Sequence, residues 1–269
     1  MAGTGAVNHA ARALVKTVLA AADVPFRTRP GPRILIYHQV GAGLGRQMEV
    51  TTDAFDFHLN WLLEHGSIVS LDEALARAGE PDSHRLFVLT FDDGYRDVHD
   101  TAFPLLKSAR APFLVYVTTE PVETGRAMTP GGRAEPLTWD QLAEMAGEGA
   151  TIGSHTHTHP DLRKAPAEVV EMELAKSDQL IEARLGVESE HFCYPYGYWS
   201  ATAEPVVRGR YRTATLGGGP PVGPSTDPHR VHRVPVQLGD GRFFFTRKMK
   251  SGMVHEETLR RRVAGYRGV

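Results

Sequence analysis

Three short stretches of the sequence combine residue types that can carry out hydrolytic chemistry. In the first, two carboxylates and a glycine, Asp92-Asp93-Gly94, follow the apolar run 86–91. Adjacent residues of a regular strand face opposite ways, but a glycine lets the chain turn, so both carboxylates can enter one site in different roles. One can bind a cation while the other accepts a proton. A cap on a following helix is the alternative for this pair.

The second stretch places three histidines, His155, His157 and His159, within five positions. In a helical turn His155 and His159 share one face, whereas in an extended chain all three histidines do. Pro160 disfavours helical backbone at His159 and therefore favours a turn. Two neutral imidazoles and one carboxylate form a three-ligand metal set that leaves positions for water. A histidine-rich surface loop is the alternative, which the buried strand before the cluster disfavours.

The third stretch, residues 192–197, places aromatic side chains around a Pro-Gly turn. Such a turn can form a wall for a sugar ring and expose backbone N–H groups to a developing oxyanion. A packed aromatic turn is the alternative. The stretch also contains Cys193, the single cysteine of the chain, which excludes an internal disulfide framework and a cysteine-based zinc site. Any metal would therefore use histidine and carboxylate ligands.

Composition narrows the class of protein. Hydrophobic residues at 41% and charged residues at 23% exclude a disordered chain and a membrane-embedded one. Thirty basic and 32 acidic residues give a formal charge of −2, so no basic field would attract nucleic acid. A length of 269 residues suits one large α/β barrel.

The three stretches follow short apolar runs that alternate with segments of helical periodicity. The predicted strands cover residues 34–37, 67–70, 86–91, 113–117, 151–153, 192–194, 211–216 and 233–236. The first predicted helix is capped by Thr52 or Asp53 and carries Phe55, Leu59, Leu62 and Leu63 at helical spacing. The other predicted helices cover residues 71–78, 102–108, 139–148 and 169–185. The Gly- and Pro-rich stretches 120–136 and 217–228 are predicted to be loops. This alternation predicts a parallel sheet closed as a barrel, in which the carboxyl ends of the strands meet on one face.

Both ends of the chain are predicted to be helical. Residues 9–22 form a predicted amphipathic helix within an N-terminal extension, 1–30, for which docking is weighed above membrane contact. Arg12 and Lys16 interrupt the apolar run, which favours a cytoplasmic protein over an exported one, with membrane association as an alternative. Residues 31–269 form a single predicted domain that includes a C-terminal helix at 256–266.

The chain resembles the polysaccharide deacetylase family, also called the NodB-homology domain or carbohydrate esterase family 4, over roughly residues 31–250. Three motifs carry the resemblance, TFDDGY (90–95), SHTHTHP (154–160) and FCYPYG (192–197). Weaker support comes from ILIYHQV (34–40), LTWDQLAEM (137–145) and HRVPV (232–236). Tyr37-His38 and the Tyr-Pro-Tyr-Gly turn look most like the branch that deacetylates β-1,6-linked N-acetylglucosamine polymers. The resemblance implies a distorted, TIM-like (β/α)7 barrel.

The resemblance also implies a metal site. Asp93, His155 and His159 match the family's three ligands for a divalent metal, usually zinc, and His157 is left as a non-ligand. Asp92 matches the catalytic base that takes a proton from a metal-activated water. The backbone N–H of Tyr196 matches the donor to the tetrahedral oxyanion.

Two features depart from the family pattern. Many members carry an arginine that pairs with the base at the position of Cys193, and we expect Arg233 to substitute for it. The usual late Leu-His motif, which supplies the general acid, is not recognisable. His232 is the first candidate for that acid and His38 the second.

The sequence thus predicts a metal-dependent hydrolase that removes acetyl groups from N-acetylhexosamine residues of a polysaccharide or glycoside. An O-acetyl glycan esterase and a glycan-binding module with lost catalysis are the alternatives. A metallo-β-lactamase is disfavoured because its pattern needs Asp where Thr158 stands. The expected partner is an acetylated glycan or amino sugar, with no nucleic acid, no further cofactor and no disulfide-linked partner.

Overall fold

A computed structural model describes residues 30–128, 134–220 and 222–251 of the chain. The predicted helices at 9–22 and 256–266 lie outside these residues, as does His255, a further histidine near the C-terminus.

Seven parallel strands close into a barrel. They are β1 (Arg33–Tyr37), β5 (Leu86–Phe91), β6 (Phe113–Val117), β7 (Ala150–Ser154), β8 (His191–Cys193), β9 (Thr213–Gly217) and β10 (Val231–Pro235). Their order around the barrel is β1-β10-β9-β8-β7-β6-β5 and back to β1. Three short strands are added, β2 (Gln39–Val40) and β3 (Glu49–Val50), which pair with each other, and β4 (Ser67–Ile68), which pairs with the start of β5. The prediction of a distorted (β/α)7 barrel is confirmed.

Helices connect the strands. Their bounds are α1 (Thr52–His65), α2 (Leu71–Ala76), α3 (Phe103–Ala109), α4 (Thr119–Thr124), α5 (Trp139–Gly147), α6 (Ala167–Leu185), α7 (Glu204–Arg210) and α8 (Arg242–Ser251). Helix α5 begins with a reciprocal capping box between Thr138 and Gln141, and α6 ends at Gly186, whose φ of 67° suits glycine. In the part of the chain described here, no helix is both long and apolar enough to cross a membrane.

Alternate residues of the strands face two apolar regions. Leu35 and Leu89 belong to the cluster between the barrel and the surrounding helices, together with Phe55 of α1. Ile34 and Val88 belong to a second cluster, on the other face of the strands. This period-2 alternation explains why the strands are almost continuously apolar, since both of their faces are buried.

The structure corrects several predicted elements. Thr51, in extended backbone, caps α1, so the predicted caps Thr52 and Asp53 lie inside the helix. The stretch 120–136, predicted to be a loop, begins within α4. Helices α7 and α8 were not predicted, because α7 is short and contains Pro and Gly, and α8 has its apolar residues in one run without helical spacing.

Candidate active site

The carboxyl ends of four barrel strands bring the predicted site residues together. Asp92 and Asp93 directly follow β5, and His155 directly follows β7. Cys193 is the last residue of β8, and Arg233 lies on β10, on the opposite side of β8 from β7 in the strand order. In a parallel barrel this edge is where active sites lie.

Asp92 is held by a two-pronged ion pair. Arg233 Nη1 donates to Asp92 Oδ1 and Nη2 donates to Oδ2, each at 2.7 Å. The carboxylate is 4% exposed, and burial alone would raise its pKa. The charge and hydrogen bonds of Arg233 outweigh burial and lower the pKa of Asp92 below its usual value, so the group is ionised.

Arg233 is itself fixed by the barrel interior. Its Nη1 donates to Thr90 Oγ1 at 2.7 Å, and its Nε donates to the Leu216 carbonyl at 3.3 Å. Its Nη2 lies 2.9 Å from Cys193 Sγ, and its guanidinium lies 5.2 Å from the centre of the Tyr116 ring. The structure therefore places Arg233 where our hypothesis of a substitute arginine requires it, with the small Cys193 side chain beside it.

Asp93 faces two histidines instead of an arginine. Its Oδ1 lies 3.3 Å from His155 Nε2 and 3.4 Å from His159 Nε2. His155 Nδ1 lies 2.7 Å from the Cys193 carbonyl, which can only accept, so Nδ1 carries a proton and Nε2 is directed at Asp93. One potential ligand atom from each of these three residues lies within 4.8 Å of the other two.

These three residues fit a divalent metal. His159 Nε2 is buried and has no hydrogen-bond partner in the described part of the chain. Burial lowers the pKa of His159 to about 4, which keeps its imidazole neutral as a ligand must be. Burial raises the pKa of Asp93, but the hydrogen bond with His155 and the neighbouring histidine charges hold it well below its usual value. Two imidazoles and one carboxylate leave further positions open, as catalytic zinc sites do.

The middle histidine of the cluster lies elsewhere. His157 Nδ1 is 2.9 Å from Thr119 Oγ1, at the start of α4. The described residues contain two groups of potential metal ligands, Asp93-His155-His159 and Asp92-His155-Cys193, and neither includes His157. This placement agrees with the expectation that His157 is not a ligand.

Left-handed backbone is concentrated in the site. Asp93, Thr156, His159 and Tyr196 have φ between 60° and 74°, and the described residues contain only one other non-glycine residue of this kind, at the end of α3. Such conformations cost about 1–3 kcal/mol each and persist only where surrounding contacts hold them. The 155–159 segment is therefore neither a helical turn nor a strand, but a turn with its own geometry, as Pro160 favours.

Tyr196 combines an exposed ring with an available backbone donor. The residue is 58% exposed, and its ring meets the His159 ring edge-on, with centroids 4.6 Å apart. The Tyr198 ring stacks beside it at 6.2 Å. Over residues 30–128, 134–220 and 222–251, the Tyr196 N–H donates no backbone hydrogen bond. Tyr196 therefore presents both an exposed ring and a backbone N–H at the edge of the site.

Comparison with known proteins agrees with this geometry. Residues 79–209 match the family model for polysaccharide deacetylase. This segment of the chain is therefore a polysaccharide deacetylase domain by sequence. Among solved structures, the Streptococcus pyogenes deacetylase PplD in complex with acetate superposes with a TM-score of 0.69 at 25% identity. That match covers 83% of this chain and 99% of PplD.

Curated relatives of the deacetylase domain include YxkH of Bacillus subtilis, whose name places it among the polysaccharide deacetylases. It is 26% identical over 218 residues, which are 77% of this chain and 71% of YxkH. The poly-beta-1,6-N-acetyl-D-glucosamine N-deacetylase of Escherichia coli K12 is 34% identical over 124 residues. That match covers 41% of this chain but only 18% of the E. coli enzyme.

The two candidate acids of the deacetylase domain are placed differently. His232 precedes Arg233 on β10, and its Nδ1 hydrogen-bonds with the Gly218 carbonyl. Neighbours on a strand face opposite ways, so His232 and Arg233 lie on opposite faces of β10, which disfavours His232 as the acid. His38, directly after β1, has a buried Nδ1 without a hydrogen-bond partner among the described residues, and its charge lowers the pKa of both Asp92 and Asp93.

Sequence reasoning missed two residues that contact the candidate metal ligands or the segment between them. The Tyr95 hydroxyl hydrogen-bonds with Asp93, and burial together with that carboxylate raises the pKa of Tyr95. Glu173, on α6, accepts hydrogen bonds from the backbone N–H groups of His157 and Thr158. Tyr95 belongs to the TFDDGY motif and could have been noticed, whereas nothing in the local sequence around Glu173 points to the site.

Proposed function

We propose that this domain is a divalent-metal-dependent deacetylase that acts on N-acetylhexosamine units of a glycan. Membership of the polysaccharide deacetylase family supports carbohydrate deacetylation. The observation that carries the proposal is the convergence of Asp93, His155 and His159 next to the ionised Asp92.

Asp93, His155 and His159 would hold the metal, and zinc suits this donor set. When bound, a divalent ion supplies a Lewis acid that polarises the acetyl carbonyl and lowers the pKa of water. Both histidine Nε2 atoms lie within 3.4 Å of Asp93 Oδ1, so the three potential ligand atoms are already close together.

Asp92 would accept the proton of the attacking water. Its two oxygens each accept one hydrogen bond from Arg233, and each carboxylate oxygen has a second lone pair. Because Arg233 fixes the carboxylate, the base keeps its orientation during the reaction and stays ionised until it receives the proton.

The mechanism also needs a donor to the oxyanion and a general acid. The Tyr196 N–H would stabilise the tetrahedral oxyanion, since Tyr196 has left-handed backbone next to His159 and no backbone acceptor for this N–H is found among the described residues. The departing amine needs a proton because an amide anion cannot leave, and His38 is the candidate acid whose charge lowers the pKa of both carboxylates. We therefore assign the general acid to His38 in place of His232.

The proposed substrate class is N-acetylglucosamine in a β-1,6-linked polymer or glycoside. Its support is the similarity to the E. coli enzyme whose name states that substrate, together with the exposed Tyr196 ring beside His159. An aromatic face of this kind suits the apolar face of a sugar ring.

Acetate release from a panel of acetylated substrates tests the proposal. The panel contains β-1,6 and β-1,4 glucosamine oligomers, peptidoglycan fragments, small N-acetylated glycosides and an O-acetylated glycan, each assayed with added zinc. We expect acetate from N-acetylated glucosamine oligomers and loss of turnover on chelation. Acetate from the O-acetyl glycan alone would identify an esterase, and metal binding without any acetate would identify a binding module.

His38 has a separate test in the same assay. His38→Gln keeps the volume and polarity but removes the titrating group, so kcat should fall by about 10²- to 10⁴-fold. His232→Gln is the matched control and should retain activity, because its side chain faces the Gly218 carbonyl. Equal losses in both variants would contradict the assignment.

A further inference from the structure

The histidine turn, residues 155–159, is held from both sides by two helices. Its carbonyl groups accept hydrogen bonds from the start of α4, where the Thr119 N–H reaches the Thr156 carbonyl at 3.3 Å and the Glu120 N–H reaches the His157 carbonyl at 2.8 Å. Two residues of the turn, Thr156 and His159, have left-handed backbone. A turn of this kind needs outside contacts to persist.

The N–H groups of the same turn converge on one carboxylate. Glu173 Oε2 accepts from the His157 N–H at 3.0 Å and from the Thr158 N–H at 2.7 Å. Glu173 Oε1 accepts from the Thr158 hydroxyl at 2.7 Å. All three donors lie between the two metal-ligand histidines, so the carboxylate fixes the backbone that joins His155 to His159.

Glu173 is itself fixed in place. It lies on α6 and is 4% exposed. One helical turn later, Ser177 Oγ accepts from Ser154 Oγ at 2.9 Å, at the end of β7. Residues four apart share a helix face, so α6 contacts both the end of β7 and the turn that follows it.

We propose that Glu173 is a positioning residue that sets the spacing of His155 and His159 and thereby the affinity of the metal site. The inference rests on the proposed metal-dependent function. It assigns Glu173 no contact with substrate or with the metal, only the hydrogen bonds that hold the histidine turn. Buried groups that orient metal ligands typically change metal affinity by 10- to 100-fold when they are removed.

The test measures metal binding without any glycan. Zinc dissociation constants come from competition with a chromophoric chelator, the visible spectrum of the cobalt-loaded protein reports ligand geometry, and thermal unfolding of the metal-free protein reports stability. The variants are Glu173→Ala, Glu173→Gln and Glu173→Asp. Glu182→Ala, at an exposed position of the same helix, is the matched control.

Glu173→Ala should weaken zinc binding about 10- to 100-fold and alter the cobalt spectrum, while Glu182→Ala should change neither. Glu173→Gln should restore most of the affinity, because its amide oxygen can accept from both N–H groups and its amide N–H can donate to Thr158. Glu173→Asp keeps the charge but is one methylene shorter, so it should bind zinc more weakly than Glu173→Gln. This order also tests the inference if Glu173→Ala does not fold.

Wild-type affinity and spectrum in Glu173→Ala would overturn the inference, as would tighter binding by the aspartate than by the glutamine variant. A wild-type protein that binds no divalent metal would overturn both this inference and the proposed metal dependence. Absence of acetate release with the expected order of zinc affinities would overturn the deacetylase proposal alone.

Discussion

Asp92 and Asp93 are neighbours in the sequence, yet the two sides of the site that they serve are built differently. On the base side, defined as Asp92, Arg233 and Cys193, the carboxylate has a protein cation at 2.7 Å. On the metal side, defined as Asp93, His155 and His159, the partners are imidazoles, and His159 Nε2 is buried without a hydrogen bond. The carboxylate of the base side is paired with a protein cation, whereas the three residues of the metal side are the ones that we propose hold a divalent ion.

In the proposed mechanism, one dipeptide supplies two chemical roles. A buried carboxylate needs a positive partner, because leaving it unpaired in the interior is costly. Arg233 provides that charge permanently and keeps Asp92 ionised as a base. The left-handed φ of 74° at Asp93 turns the second carboxylate to the other side, towards the histidines.

The largest expected effect separates the two sides by their function. Asp92→Asn removes the proton acceptor but keeps one oxygen for Arg233, so kcat should fall by about 10²- to 10⁴-fold. Zinc content should stay at the wild-type level, since Asp92 contributes nothing to the metal side in this assignment. Acetate release and metal analysis of the same preparation measure both quantities.

Asp93→Asn is the matched variant on the metal side. It replaces an anionic ligand by a neutral amide, so zinc should be lost on dialysis and turnover should fall with it. If Asp92→Asn lost the metal while Asp93→Asn kept it, the two roles would be assigned the wrong way round.

The next effect concerns the cation of the base side. Arg233→Ala leaves Asp92 buried without its partner, so the free energy of unfolding should fall by about 3–5 kcal/mol, measured by urea denaturation. Without Arg233, burial dominates and the pKa of Asp92 rises. The base then becomes protonated at higher pH, so the acidic limb of the kcat/KM profile should shift upwards in pH.

Arg233→Lys is the control for charge alone. It keeps a positive group but loses the two-pronged contact, so its stability and pH profile should lie between those of the wild type and Arg233→Ala. Full activity of Arg233→Ala with unchanged pH dependence would refute the idea that Arg233 fixes the base.

The smallest effect lies at the rim of the metal side. Tyr196→Ala keeps the backbone N–H but removes the exposed ring beside His159. We expect kcat to change little and kcat/KM for glucosamine oligomers to fall roughly 2- to 12-fold, the equivalent of about 0.5–1.5 kcal/mol of stacking. A large loss of kcat would show that the ring takes part in the reaction itself.

Local sequence predicted the strands well where both faces are apolar. Strands β5 and β6 have the bounds that the sequence predicts, because a short run of buried β-branched and aromatic residues has few alternatives. Helices α4, α7 and α8 were missed, since short or unpatterned helices are stabilised by contacts with the barrel more than by their own sequence.

The site shows the same division. The meeting of the carboxylates with the histidines follows from their places at strand ends, because parallel strands of a barrel must end on one face. The resemblance to the family then implied which of these residues are ligands and which is the base. The order of the candidate acids depended on which face of β10 each side chain takes, and His232 was ranked first although it shares its strand with the inward-facing Arg233. The parity of neighbouring residues would have corrected that ranking.

The sequence by itself determined the barrel, the three motifs and the ligand types, because these depend on local periodicity and on residue chemistry. Only the tertiary structure decided that Arg233 reaches Asp92 across 141 positions of the chain and that Glu173 holds the histidine turn from another helix. Arg233 was a candidate partner from its place on a predicted strand, whereas no local signal points to Glu173. Both contacts arise where buried charges and backbone N–H groups must find partners, and the fold determines which distant side chain is within reach.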